Sequence, residues 1–301
     1  MELVFIGTGG SWPSKDRNVS CVALRLGKEI ILFDCGEGTQ RQLMRSTISF
    51  MKISKIFISH FHGDHFLGIP GLVQSMTLNN RKEDLEIYGP KGSGKLVRTL
   101  LRLGYFTPSF EVRVYDLNGN DNIEFEENRI RTCYADHNVP TLAYALEEYD
   151  RPGRFRIERA KALGLPQGPL YRRLQSGKSI VFKGKRIKPE DVLGKPRKGR
   201  KLVYANDTRP CENVVKLAEN CDVLIHDATV HSKLEEKANK YAHSSARQAA
   251  MIAKRANAKL LFLIHFSPRY KETDILEKEA RKIFKNSICA RDFMTYNIKA
   301  K

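Results

Sequence analysis

The string His60-Phe61-His62-Gly63-Asp64-His65 constrains this chain more than any other stretch. It follows an apolar run, Lys55-Ile56-Phe57-Ile58-Ser59, that reads as a buried strand, and it leads into Phe66-Leu67-Gly68-Ile69-Pro70. In extended backbone, residues two apart project the same way, so His60 and His62 can reach one metal ion together. Gly63 gives the backbone room to turn, which lets Asp64 and His65 face a second ion. Imidazole nitrogen and carboxylate oxygen suit zinc, manganese or iron. Three of the chain's eight histidines fall within these six residues, at a strand end. That placement favours a metal site over a chance cluster on a solvated loop.

The rest of the chain has the pattern of a scaffold for such a site. Strand-like runs (Leu3–Ile6, Val22–Leu26, Ile30–Phe33, Leu85–Tyr88) alternate with helix-like ones (Thr39–Arg45, Leu67–Thr77, Gly94–Leu103). Val112 to Glu148 reads as strands joined by turns. Alternation resumes with Leu202–Ala205, Glu212–Ala218, Val223–Ile225, Ser244–Ala256, Leu260–Ile264, Asp274–Lys285 and Met294–Ile298. Strands interleaved with helices predict an α/β architecture with helix-covered sheets. His137, Asp207 and His265 each fall just past the carboxyl end of a strand-like run, where open α/β sheets usually place their sites. If these strand ends converge with that of His60, then His60, His62 and His137 hold one ion. Asp64, His65 and His265 hold the other, and Asp207 bridges. Two close metals activate a water and clamp both oxygens of a displacement, which is hydrolytic chemistry.

Charge speaks to the partner. The chain carries a net +18, and Arg151 to Lys201 alone holds 17 Lys and Arg against three acids, a net +14. Such a block suits a polyanion, most often nucleic acid. The Gly and Pro residues of its part at about 152–178 suit an extended projection better than a packed element, and the whole stretch reads as an insertion between two halves of one domain. No apolar run approaches the roughly 18 residues a membrane span needs. The N-terminus begins directly on a strand, without a signal core. The six cysteines are scattered and fit reduced thiols of a cytoplasmic protein.

The histidine string resembles the hallmark of the metallo-β-lactamase superfamily, and the chain is similar along its whole length to the short form of the ribonuclease Z family. Pro13-Ser14-Lys15-Asp16-Arg17-Asn18 resembles that family's Pro-x-Lys-x-Arg-Asn loop, and Phe33-Asp34-Cys35-Gly36-Glu37-Gly38-Thr39 its first acidic motif. The stretches at His137–Thr141, Asp207–Pro210 and His265–Tyr270 resemble its later metal-binding motifs. Leu163-Gly164-Leu165-Pro166-Gln167-Gly168-Pro169 resembles the Gly-Pro segment of its substrate arm.

The resemblance implies a single metallo-β-lactamase-like domain over 1–301, a four-layer αββα sandwich with a protruding arm at about 152–178. It implies two zinc ions on the ligands named above and a homodimer. The implied activity is an endoribonuclease that removes the 3′ trailer from precursor tRNA, leaving 3′-hydroxyl on the tRNA and 5′-phosphate on the trailer. By position, Asp64 becomes the proton acceptor and His243 the donor to the leaving oxygen, with Asp227 as its orienting acid. Here Ala242-His243-Ser244-Ser245 and His226-Asp227-Ala228-Thr229 depart from the family's Gly-His-Ser-Thr and His-Glu-Ala-Thr. The shorter Asp227 would need a backbone shift or a water to reach His243. His226 and His231 read as structural or surface residues. Asp34 reads either as a turn former or as a carboxylate supporting a ligand imidazole. Lys15, Arg17, Arg209 and Arg269 are candidate phosphate contacts, and the resemblance makes Gly168 and Pro169 of the arm candidate substrate-binding residues. Two rivals remain. A general phosphodiesterase on the same scaffold would have no use for the basic stretch. A non-catalytic RNA-binding protein with structural zinc would favour a closed, often cysteine-rich site.

Overall fold

The structure, a computed structural model, describes residues 1–300. Its chain divides into two compact units, Met1–Glu147 with Lys201–Lys299, and Glu148–Arg200 with Ala300.

In the first unit, β1 (Glu2–Gly7), β2 (Cys21–Leu26) and β3 (Glu29–Phe33) form an antiparallel run. Helix α1 (Thr39–Arg45) leads to β4 (Ile53–Phe57), one-turn α2 (Gly63–Phe66) and α3 (Ile69–Leu78). Strand β5 (Leu85–Pro90), helix α4 (Ser93–Leu101) and strand β6 (Val112–Leu117) complete the first half. Strands β3 to β6 pair in parallel. Strands β7 (Asn122–Glu124), β8 (Asn128–Tyr134) and β9 (Leu142–Glu148) open the second sheet.

The second unit holds α5 (Ile157–Ala162), α6 (Pro169–Gln175), a hairpin of β10 (Ile180–Phe182) and β11 (Lys185–Ile187), and α7 (Pro189–Val192). The first unit then resumes. It adds β12 (Lys201–Ala205), α8 (Glu212–Leu217), β13 (Val223–Asp227), α9 (Glu235–Lys240), α10 (Ala246–Arg255), β14 (Leu261–Ile264), α11 (Asp274–Arg281), β15 (Ser287–Cys289) and β16 (Thr295–Asn297). The sheet orders are β16-β1-β2-β3-β4-β5-β6 and β15-β14-β13-β12-β9-β8-β7.

The continuous apolar strands follow from burial on both faces. In β3, Ile31 and Phe33 join a core shared with Tyr144, Tyr204 and Phe262 of the second sheet. Ile30 and Leu32 instead pack with Leu43 of α1 and Leu72 and Val73 of α3. In β12, Leu202 and Tyr204 face the inter-sheet core, while Val203 and Ala205 pack with the alanines of α10. Helix, sheet, sheet, helix is therefore the layer order of this unit, as the resemblance implied. Helix α10 starts on a capping box of Ser245 and Gln248. Its Ala246, Ala249, Ala250 and Ala253 lie three and four apart and form the buried stripe.

The part at about 152–178 differs from the extended projection its Gly and Pro content suggested. Ala160, Leu165, Tyr171, Leu174, Ile180, Ile187 and Val192 form a small core of their own. The reason is spacing. These apolar residues recur often enough along two short helices and a hairpin to share one interior. The predicted arm, 152–178, lies inside this unit and stops before the hairpin. All six cysteines are free. No helix among the described residues is long and apolar enough to cross a membrane.

Candidate metal centre

Strand β4 ends at Phe57, and three residues on His60 is fully buried beneath His62. His62 caps α2, whose single turn carries Asp64 and His65. The turn is ordinary helix, so Gly63 is not what permits it. A Cβ there would meet only the exposed Leu67 side chain, at 2.9 Å. The demanding glycines lie elsewhere. A Cβ on Gly36 would sit 2.2 Å from the Asp64 carbonyl oxygen, and one on Gly10 would sit 2.5 Å from the His265 ring.

The remaining donors arrive from the second sheet. His137 follows β8, Asp207 follows β12 and His265 follows β14. Asp207 and His265 take positive φ, 47° and 62°, as does Asp34 at 59° after β3. Non-glycine residues rarely adopt this region, and where they do the strain often belongs to a site.

Asp207 divides the cluster. Its Oδ2 lies 3.6 Å from His60 Nε2 and 3.9 Å from His137 Nε2, with His62 Nδ1 2.9 and 3.2 Å from those same nitrogens. Its Oδ1 lies 3.0 Å from His265 Nε2 and 3.4 Å from His65 Nε2. Those two rings also face Asp64 Oδ2, at 3.3 and 3.4 Å. Donor atoms of His60, His62, His137 and Asp207 lie within 4.8 Å of one another, and so do those of Asp64, His65 and His265.

Each ring is held by its other nitrogen, or by its neighbour. His65 Nδ1 is 2.7 Å from Asp34, His60 Nδ1 3.0 Å from Ser59 Oγ, and His265 Nδ1 3.1 Å from Thr229 Oγ1. His137 Nδ1 donates to the Ala242 carbonyl at 3.0 Å. Fixing the far nitrogen leaves Nε2 aimed into the cluster. Asp34 is thus the supporting carboxylate of its two readings, and it also accepts from Ser59 and Tyr204.

The donors fit divalent ions. His65 Nε2 and Asp207 Oδ1 are buried with no hydrogen-bond partner, a costly arrangement that a cation between them would relieve. Burial, and then the neighbouring His65, hold His60 well below the ordinary imidazole value, which suits a neutral ligand. Burial would raise Asp207 and Asp64, yet the surrounding histidines hold both far below the carboxylate range.

Comparison with known proteins fits this geometry. A model of the beta-lactamase superfamily domain matches residues 175–266, and that of the anti-Pycsar protein Apyc1 matches residues 1–137. A curated ribonuclease Z of Methanothermobacter thermautotrophicus is 47% identical over 300 residues, covering 100% of this chain and 97% of that one. The chain belongs to the ribonuclease Z family. A ribonuclease Z of Thermoplasma acidophilum is 44% identical over 301 residues, covering 100% and 97%. The crystal structure of human tRNase Z, short form, superposes with a TM-score of 0.73 at 28% identity, covering 99% and 100%.

Against the ribonuclease Z pattern, the shorter acid at 227 meets its partner directly. Asp227 Oδ2 lies 3.0 Å from His243 Nδ1, with no intervening water required. Burial opposes charge on His243, but Asp227 pushes its pKa up to about 9. Asp227 is itself held by the backbone N–H groups of Thr208, Ser244 and Thr229.

The candidate phosphate contacts scatter. Arg209 is committed to Asp136 through two bonds of 2.8 and 3.1 Å. Arg17 donates to Thr8 Oγ1 at 2.7 Å and lies over the Phe266 ring, so it braces the loop before β2. Lys15 lines an open cavity of about 640 Å³. Arg269 is exposed and bonded to Ser267. Gly168 and Pro169 lie in the second unit, at the start of α6. Sequence reasoning missed Tyr204, Asn206 and Asp292. Tyr204 and Asn206 support Asp34 and the backbone of Asp207. Asp292 ties Thr8, Asn18 and Gln42 together. A lone polar residue inside an apolar strand was the available signal for Tyr204, and Asp292 offered none.

Proposed function

We propose that this chain is the endoribonuclease that removes the 3′ trailer of precursor tRNA, working with two divalent ions, zinc first among them. The observation that carries the reading is the full-length match to curated ribonuclease Z, which spans the basic second unit as well as the donor cluster. His60, His62 and His137 would hold one ion, Asp64, His65 and His265 the other, with Asp207 between. Ions bound there would lower the pKa of a water and offset charge on the phosphate oxygens.

The chain's own groups do the rest. Asp64 is kept ionised by His65 and His265 and accepts the proton of the attacking water. His243 is kept protonated and oriented by Asp227, and donates from Nε2 to the departing 3′ oxygen of the tRNA. Water oxygen bonds to phosphorus as the bond from phosphorus to that 3′ oxygen breaks. The tRNA keeps a 3′-hydroxyl and the trailer a 5′-phosphate. The basic second unit supplies affinity for the tRNA backbone, and the enzyme acts as a cytoplasmic homodimer.

Incubation with a 3′-extended precursor tRNA, followed by mapping of both ends, tests the reading. One cut after the discriminator base is expected. Hydrolysis confined to small phosphodiesters would instead support the general phosphodiesterase. Light scattering should give twice the mass of one chain.

A further inference from the structure

We propose that Trp12 is a stacking platform for a nucleobase beside the scissile phosphate, an inference that rests on the nuclease reading above. Trp12 is the only tryptophan in the chain and is 62% exposed. Its indole makes no ring pairing or cation contact among the described residues. A large aromatic is usually well buried, so a bare one on an ordered loop calls for a partner.

The loop is ordered, and it is tied to the metal centre. The Ser11 N–H donates to Asp64 Oδ2 at 2.7 Å, one residue before the indole. Ser11 holds a φ of 70°, a strained conformation for serine, to make that bond. Gly10 lies so close to the His265 ring that it has no room for a Cβ, and its N–H donates to the Phe266 carbonyl at 3.1 Å. Trp12 closes the turn with an N–H bond of 2.9 Å to the Gly10 carbonyl. Beyond it, Ser14 donates to the Arg17 carbonyl at 2.8 Å, and Asn18 to Asp292 at 2.7 Å. The backbone under Trp12 is therefore fixed to two donors of the cluster, and successive Cα atoms are only about 3.8 Å apart.

What would cover such a ring follows from what must enter beside it. A phosphodiester reaching Asp64 brings its flanking bases within a residue's reach of Trp12. Every base offers a π-face, so stacking holds the strand without reading sequence. Lys15, three residues on, supplies positive charge on the same loop.

The sole tryptophan is its own probe. Intrinsic fluorescence of the metal-loaded protein should be titrated with the two products, mature tRNA and a 5′-phosphorylated trailer oligonucleotide. Each should also be tried with an abasic nucleotide at the cut end. We expect saturable quenching by at least one product and loss of it with the abasic version. Trp12→Ala should raise KM for precursor tRNA roughly 5- to 100-fold, the range typical of one lost base stack. The loss should fall on KM rather than kcat, and Trp12→Phe should restore it. Quenching that survives the abasic change, with unchanged KM in Trp12→Ala, would overturn the inference. So would a Trp12→Ala chain of altered oligomeric state and unchanged KM, which would mark a protein contact. If the unaltered chain cuts no precursor, the nuclease reading fails separately, while the abasic comparison still decides for or against Trp12.

Discussion

Asp207 offers one oxygen to each half of the donor cluster, so its removal should empty both halves rather than one. Asp207→Ala is expected to lose cleavage by orders of magnitude and most of its metal, measured by elemental analysis against an expected two ions per chain. Retention of two ions would refute the bridging role. His243 makes a different prediction, because its Nδ1 lies 3.0 Å from Asp227 Oδ2 and 4.0 Å from Asp207 Oδ2. His243→Ala should lower kcat by roughly 10²- to 10⁴-fold, the usual contribution of a general acid, with metal content unchanged. A variant that sheds metal would make His243 a ligand. At this scale the sequence was most legible where a polar residue breaks an apolar run at its end, as at His60, His137, Asp207 and His265. It was least legible where the partner is distant in the chain. Nothing near Arg209 announces Asp136, which lies 73 residues away, and so a braced arginine read as a phosphate contact.

Elements decide how closely those residues approach. Runs such as Ile30–Phe33 announced strands buried on both faces, but not which glycine the packing would tax. Gly63 drew attention because it interrupts the histidine string, yet α2 is plain helix there and alanine is the better helix former. Gly10 drew none, because its neighbour, the His265 ring, is contributed by the far end of the chain. That ring cannot move aside cheaply, being held to Thr229 and stacked 5.0 Å from His243. Gly10→Ala should therefore weaken metal binding and cost about 1–3 kcal/mol of stability through overpacking. Gly63→Ala should leave both nearly unchanged, since its Cβ meets only the end of an exposed leucine side chain. Denaturant unfolding and metal titration of the pair check this, and equal behaviour of the two would contradict the packing argument.

For the molecule as a whole, charge was legible and compactness was not. The net +14 from Arg151 to Lys201 could be counted from the sequence, whereas the small core around Leu174 and Ile187 arises from apolar residues scattered among glycines, prolines and cations. That core makes the second unit an element to be removed whole. Arg151 and Arg197 close its base with reciprocal backbone bonds of 2.9 Å, so residues 152–196 can be replaced by a short glycine linker without stretching the chain. No proposed metal ligand lies in that span. If the unit supplies affinity for tRNA phosphates, the shortened chain should lose precursor cleavage at ordinary salt and recover part of it at low salt, since few-contact binding is strengthened there. Hydrolysis of bis(p-nitrophenyl) phosphate should persist, because Asp64, Asp207 and His243 are untouched. Loss of both activities would mean that the deletion damaged the first unit, which metal analysis of the same sample would reveal. Undiminished precursor cleavage would show the basic unit to be solvated surface, and the polyanion argument drawn from its charge would fall.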